Sequence, residues 1–377
     1  MGITVGAPLG GGRAAQVQRN PNGTPQSKTT IMMVSCSHAS VPRTTVLMPV
    51  YNGASTLKRA FVNALDQTDT DMELVAIDDG SSDETPAIFS WFQRRDTRVR
   101  TLRLPHGGIA NALNAGLRMA AGDYVARMDV DDVMDLRRVE KQAGFLESHA
   151  DIGLVASRVR FGGDRRACRG YAEYVNWTNR LLDPDEIALN RFIEAPFAHP
   201  SVMFRRSLVE RFGGYSDGSF PEDYELWLRW LDAGVRMAKL PECLLTWNDP
   251  PNRLSRTDPR YDVRAFYRVK AQYLAHWLAR HNPHHPDIVV WGAGRETRKR
   301  AEFLTDHGIR ITAYIDIDPR KIGQTIAARP VWSDTNIPAP GQCFVVSYVG
   351  SRGARTDIRE RLRARGFEEG GSFIVAA

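Results

Sequence analysis

The 377-residue chain is 42% apolar, 25% charged and 9% aromatic, which excludes a wholly disordered or fibrous protein and leaves room for two or three domains. Fifty Lys and Arg against 44 Asp and Glu give a net charge of +6. Arg13, Arg19, Lys28 and Arg43 supply +4 of that from an N-terminal stretch without acidic residues, so the remainder is nearly neutral and no nucleic-acid partner is expected.

Residues 1–43 are rich in Gly, Ser, Thr, Asn and Gln and lack periodicity, which reads as a disordered tail. Its charge allows at most a weak peripheral contact with an anionic membrane. Met32 or Met33 is read as a candidate for the native start. From Thr44 the pattern becomes α/β. Strands are predicted at Thr45–Met48, Glu73–Ile77, Arg98–Leu104 and Tyr124–Met128, with helices opening at Ser55, Asp83 and Gly108 between them. This alternation implies a mostly parallel sheet, with function at the carboxyl ends of its strands. Further strands are expected at Ile152–Phe161 and Ser201–Phe204, and a helix at Tyr224–Ala233 stopped by Gly234. Residues 251–286 read as a helical linker, its helix starting at Asp258-Pro259 and ending before His281-Asn282-Pro283-His284-His285-Pro286. Residues 287–377 read as a small second α/β unit. Its strands are Ile288–Trp291, Ile311–Ile315 and Cys343–Val349, and its last helix is Thr356–Arg365.

The four cysteines form no C-x-x-C pair, so neither a zinc ribbon nor a dithiol redox motif is indicated, and a reducing cytoplasmic setting fits. No run reaches the ~18 apolar residues of a membrane helix.

The segment Arg127-Met128-Asp129-Val130-Asp131-Asp132 directly follows a strand. Two carboxylates at i and i+2 can face one cation if the chain turns there, and Mg²⁺ or Mn²⁺ prefers such oxygen ligands. Alone, the pair equally fits a solvated acidic loop with a helix cap at Asp132 or Asp135. Asp79 before Gly80 fits an Asx turn. Asp223 after Pro221 fits a helix cap, Tyr51 a packed strand-end aromatic, and His199 a structural histidine.

Taken in order, Thr45–Gly53, Val75–Thr85, Gly107–Gly116, Gly122-Asp123-Tyr124, the Asp129-x-Asp131 pair and Glu222-Asp223 resemble the family 2 glycosyltransferases. The resemblance covers roughly residues 44–250. It implies the GT-A nucleotide-diphospho-sugar transferase fold there, followed by a small Rossmann-like α/β domain. It further implies inverting transfer from a nucleotide-sugar, most often a UDP-sugar, to a hydroxyl of a glycan or lipid-linked acceptor, with a divalent cation. Pro49, Tyr51 and Asp79 match the positions that hold the nucleoside. Asp129 matches the carboxylate near ribose and metal, Asp131 the metal ligand, and Asp223 the catalytic base. Glu222 and His199 match positions near the acceptor, diphosphate or metal. The family's processive polysaccharide synthases carry a Gln-x-x-Arg-Trp segment and membrane helices. Neither is found here, so one sugar at a time is expected, in surface polysaccharide synthesis at the inner face of a membrane.

Other readings have weaker support. Met128–Val133 formally fits the D-x-D-x-[TV] of haloacid-dehalogenase-type phosphatases, but that motif usually opens its domain. A nucleotidyltransferase would need a Gly-rich, Arg-containing loop after the first strand. A non-catalytic nucleotide-sugar binding protein would bind donor without turnover. Gly292-x-Gly294 begins a dinucleotide fingerprint with Asp316 about twenty residues on, but Thr297 stands at its third glycine, so NAD is not expected. The sugar, the acceptor and the oligomeric state have no readable code.

Overall fold

The computed structural model describes residues 41–251, 253–351 and 353–377. Most of the expected tail, and the candidate start at Met32 or Met33, lie outside the described residues. The first sheet comprises β1 (Thr44–Val50), β2 (Met72–Asp78), β3 (Val99–Arg103), β4 (Tyr124–Arg127), β5 (Val133–Met134), β6 (Ile152–Phe161), β7 (Met203–Arg205) and β8 (Arg236–Trp247). Their spatial order is β3-β2-β1-β4-β7-β6-β8-β5.

The first four strands are parallel, as their βα alternation requires. β1 and β2 are buried throughout because helices cover both faces. On one face Val46 and Met48 share a core with Leu57, Phe61 and Phe89. On the other, Leu47, Val75 and Ile77 pack with Leu113 and Leu117. β7 then runs antiparallel to β4 and β6, and β5 antiparallel to β8. This topology carries the acidic segment from the end of β4, in the middle of the sheet, to β5 at its edge. There it meets the end of β8.

Gly122 crosses β1 so closely that an added Cβ would lie 2.6 Å from Thr45 N and 2.7 Å from Thr44 C. Its N–H donates to Thr45 Oγ1 at 3.0 Å, and that hydroxyl donates to buried Glu73. Backbone cannot yield as a side chain can. Gly122→Ala is expected to cost about 1–3 kcal/mol of stability in a denaturant titration.

Two of the differences from the sequence reading frame the site. β8 is twelve residues long, yet Pro241-Glu242 conceal it; the chain bulges there, with Ser157 opposite Leu240 and Arg158 opposite Cys243. Asp258-Pro259 opens only a short turn, Pro259–Tyr261. The long helix is Val263–His281, capped by Asp262, whose carboxylate accepts from Ala265 N at 2.7 Å.

That helix is buried rather than exposed. Its Ala271, Leu274 and Leu278 share a core with Tyr224 and Leu228 of the helix Glu222–Asp232 and with Val290, Phe344 and Val346. The latter three belong to or adjoin a second sheet. It comprises β9 (Asp287–Trp291), β10 (Arg310–Asp316), β11 (Thr325–Ile326), β12 (Arg329–Ser333), β13 (Val345–Ser347) and β14 (Phe373–Val375). Their order is β11-β12-β10-β9-β13-β14, parallel except for the β11–β12 hairpin. Gly292 follows β9 with φ +117°, and a Cβ there would meet Thr297 Cγ2 at 2.5 Å. Asp316 accepts from Ala293 N and Asp318 N and pairs with Lys321. Both features hold strand–helix turns together. Among the described residues no helix is long and apolar enough to cross a membrane.

Candidate active site

A cleft of about 1740 Å³ opens at the carboxyl ends of β1, β2 and β4. It brings together all eight sequence candidates: Pro49, Tyr51, Asp79, Asp129, Asp131, His199, Glu222 and Asp223.

At the ends of β1 and β2, Tyr51 is half exposed and stacks on His106, with ring centroids 4.2 Å apart. Asp79 is buried, and its two oxygens accept from Gly107 N and Gly108 N, each at 2.9 Å. Its Oδ2 also lies 2.9 Å from His106 Nδ1. Asp79 therefore orders the loop after β3 instead of making an Asx turn with Gly80. The neighbouring Asp78 makes the local turn, accepting from Ser81 N.

Beyond β4, ligand atoms of Asp129, Asp131 and Asp132 lie within 4.8 Å of one another. Arg127 is buried beneath them and pairs with Asp129. Arg138 supports this floor, donating to Arg127 O at 2.8 Å and Val202 O at 3.1 Å. Asn248, just past β8, donates its N–H to Asp132 Oδ1 at 2.8 Å and its amide to Asp131 O at 2.7 Å. Asp132 Oδ2 is buried without a partner among the described residues. Burial and then the Asp129 charge push the Asp131 carboxyl up to about 6. Burial, Asp129 and Asp131 raise Asp132 well above the carboxylate range. Crowded oxygens with an orphaned acceptor fit a hard divalent cation. Arg253 lies over Trp247, 3.7 Å from its ring, and its charge acts on both Asp131 and Asp132.

A separate wall is the start of the helix Glu222–Asp232. The N-cap there is Pro221, so Asp223 is not the cap. Its Oδ1 accepts from Tyr224 N at 2.7 Å, and its other oxygen has no partner among the described residues. Burial and then the Glu222 charge push the Asp223 carboxyl up to about 7. Glu222 is held by the Tyr261 hydroxyl at 2.6 Å and is itself raised by burial. His199 Nδ1 lies 3.8 Å from Glu222, and Nε2 lies 2.8 Å from the Tyr215 hydroxyl. Burial and then Arg127 drive its pKa well down, so it is neutral. His199 thus belongs to the Glu222 wall and is not part of the three-carboxylate cluster.

A family model, Glycosyl transferase family 2, matches residues 45–213. Over 205 residues the chain is 31% identical to an uncharacterized glycosyltransferase of Haemophilus influenzae, covering 53% of this chain and 73% of that protein. The chain belongs to glycosyl transferase family 2. It is also 29% identical to the UDP-Gal:alpha-D-GlcNAc-diphosphoundecaprenol beta-1,3-galactosyltransferase of Escherichia coli, over 62% of this chain and 82% of that one. A solved structure of S. aureus TarS in complex with UDP-GlcNAc matches 70% of this chain and 72% of that one, with a TM-score of 0.50 at 17% identity. This last likeness is one of fold, and it agrees with a GT-A architecture.

In this glycosyltransferase several cleft residues escaped the sequence reading, Asp132, His106, Arg253 and Tyr261 among them. Asp132 carried a signal, being the third acid of the run. His106, Arg253 and Tyr261 carried none, because their partners Tyr51, Trp247 and Glu222 are met only through the fold.

Proposed function

We propose that the cleft moves a sugar from a UDP-sugar to a hydroxyl of a glycan or lipid-linked acceptor, inverting the anomeric centre, one sugar per encounter. The observation that carries this is a single cavity holding both a proton-seeking carboxylate, Asp223, and a separate cluster of three acids. Tyr51 and His106 offer a flat, half-exposed platform suited to a nucleobase, with Pro49 and Asp79 beside it. Asp129, Asp131 and Asp132 would hold a divalent cation, Mg²⁺ or Mn²⁺, which supplies positive charge where the diphosphate departs.

The free oxygen of Asp223 accepts the proton of the acceptor hydroxyl. The acceptor oxygen forms its bond to C1 of the donor sugar as the C1–O bond to the diphosphate breaks. The leaving oxygen keeps the electron pair. Asp223 then returns its proton to water. Burial and then Glu222, fixed by Tyr261, raise the proton affinity of Asp223 toward neutral pH, where a base works best. Arg253 and Arg127 add positive charge beside the acidic cluster. The E. coli relative named above, by its name a galactosyltransferase from UDP-Gal to a diphosphoundecaprenol-linked sugar, supports the UDP-sugar donor and the lipid-linked acceptor.

A panel of nucleotide-sugars, assayed for nucleoside diphosphate release with Mn²⁺ or with EDTA, tests the reading. A UDP-sugar is expected to turn over only with metal, and NMR of the glycoside formed on an added acceptor is expected to show the opposite anomer. Release of inorganic phosphate instead would favour a phosphatase.

A further inference from the structure

The same cleft extends beyond Asp223 toward the second sheet, where Lys270, Arg300 and Arg355 line it with Arg359 and Arg363 beside them. They come from three different helices, Val263–His281, Arg295–Glu302 and Ala354–Ala364. Lys270 is buried, donates to Ala376 O at 2.7 Å and stands 3.7 Å from the Tyr267 ring. Arg300 lies 4.8 Å from the same ring and approaches its hydroxyl at 3.3 Å. Arg355 donates to Ala377 O at 2.6 Å.

Arg300 thus meets a phenol and Lys270 a carbonyl oxygen, whereas Arg355 donates to the terminal carboxylate of Ala377. The neighbouring Arg359 and Arg363 are different, since both pair with Glu369. Glu194 is a carboxylate that faces Lys270 and Arg355; burial raises its pKa and drives that of Lys270 well down. Even with Lys270 left out, Arg300, Arg355, Arg359 and Arg363 outnumber Glu194, Glu369 and the terminal carboxylate, so the group keeps a net positive charge inside the cavity. Its backbone side is open as well. Gly350, Ser351 and Gly353 line the cavity beside Arg355, and a Cβ at Gly350 would find Arg300 Nη1 at 3.6 Å. Two guanidinium groups on separate helices suit a phosphate group. Tyr224, Phe266 and Tyr267 line the wall toward Asp223, with the first two rings 5.4 Å apart.

We propose that Arg300 and Arg355 anchor a phosphate or diphosphate group carried by the acceptor, whose sugar hydroxyl reaches Asp223. Lys270 sits behind them as a positioning residue. The inference rests on the reading of Asp223 as the acceptor-side base. It gives the second sheet a role in selecting anionic acceptors over neutral glycans.

Calorimetry on the full chain in EDTA, with inorganic pyrophosphate, decyl diphosphate and decyl glucoside as probes, tests it. Both phosphate probes are expected to bind and the neutral glucoside is not. Arg300→Gln/Arg355→Gln is expected to weaken both by about tenfold or more, and Arg300→Lys/Arg355→Lys to recover part of the loss. Tighter binding of decyl diphosphate than of pyrophosphate supports the subsite with a lipid-linked acceptor. Equal binding of the two supports it with a soluble sugar phosphate. Absent binding, equal binding in wild type and the Gln variant, or a loss that follows Asp131→Ala instead, would overturn it. UDP titrated with Mn²⁺ into the same proteins is expected to bind unchanged in the Gln variant, which shows that the variant is folded. If UDP fails to bind wild type while the phosphate probes still depend on Arg300 and Arg355, the subsite stands and the donor-site reading falls.

Discussion

Asp223→Asn is expected to lower turnover by about 100- to 10,000-fold, the range for losing a positioned general base. The same substitution is expected to raise thermal stability at pH 8. In the folded chain burial and Glu222 hold the Asp223 carboxyl up to about 7, against an ordinary value of 3.8. Between those two values the folded state keeps a proton that the unfolded state releases. Stability therefore falls as pH rises through this window, and above it the chain carries the full penalty of a buried charge. Asn carries no such charge, so the gain should be largest above pH ~7 and vanish below pH ~4. For wild type, kcat/KM should climb with pH through about 7 and then level. A carboxylate that weakens the fold yet is needed for turnover is the pattern of a reactive site. A capping or packing carboxylate would give the opposite pattern, with stability lost and turnover kept.

Asp131→Ala is expected to abolish metal-dependent turnover, a loss of about 100-fold or more, and with it the response of stability to metal. Wild type should melt at higher temperature as Mn²⁺ is added, because an ion held by Asp129, Asp131 and Asp132 would bind only their folded arrangement. EDTA should reverse the rise. In Asp131→Ala the rise should be absent. In metal-free buffer at pH 8 this variant should be no less stable than wild type. Burial and then the Asp129 charge already push the Asp131 carboxyl up to about 6, so its ionised form is a burden. Differential scanning fluorimetry with and without metal checks both statements.

Much of this arrangement is legible in the sequence, for a physical reason. β1, β2 and β4 are short apolar runs because helices bury both of their faces, and each ends in the polar residues that the sheet topology gathers at one rim. Pro49, Asp79 and Asp129 thus announce themselves by position after a strand. Glu222 and Asp223 have no such local signal and were placed by the order of motifs alone.

What escaped the sequence depends on contacts between distant segments. β8 is broken by Pro241-Glu242, which reads as a loop until its neighbour β6 shows the bulge. Asn248 and Arg253 reach the acidic cluster only because β8 ends beside β5. His106 follows a proline in a polar loop, and only the pairing of β2 with β3 brings it to Tyr51. Arg300 and Arg355 look like ordinary surface arginines on Arg-rich helices. Their shared cavity appears once the helix Val263–His281 is buried between the helix Glu222–Asp232 and the second sheet.

The most direct test of the central claim measures donor binding and transfer in one protein. Asp223→Asn is titrated with a UDP-sugar in Mn²⁺ by calorimetry and then assayed for transfer at pH 8. Donor affinity within about twofold of wild type, with turnover lower by about 100-fold or more, is the expected result. Transfer at the wild-type rate in a variant that still binds donor would contradict the account.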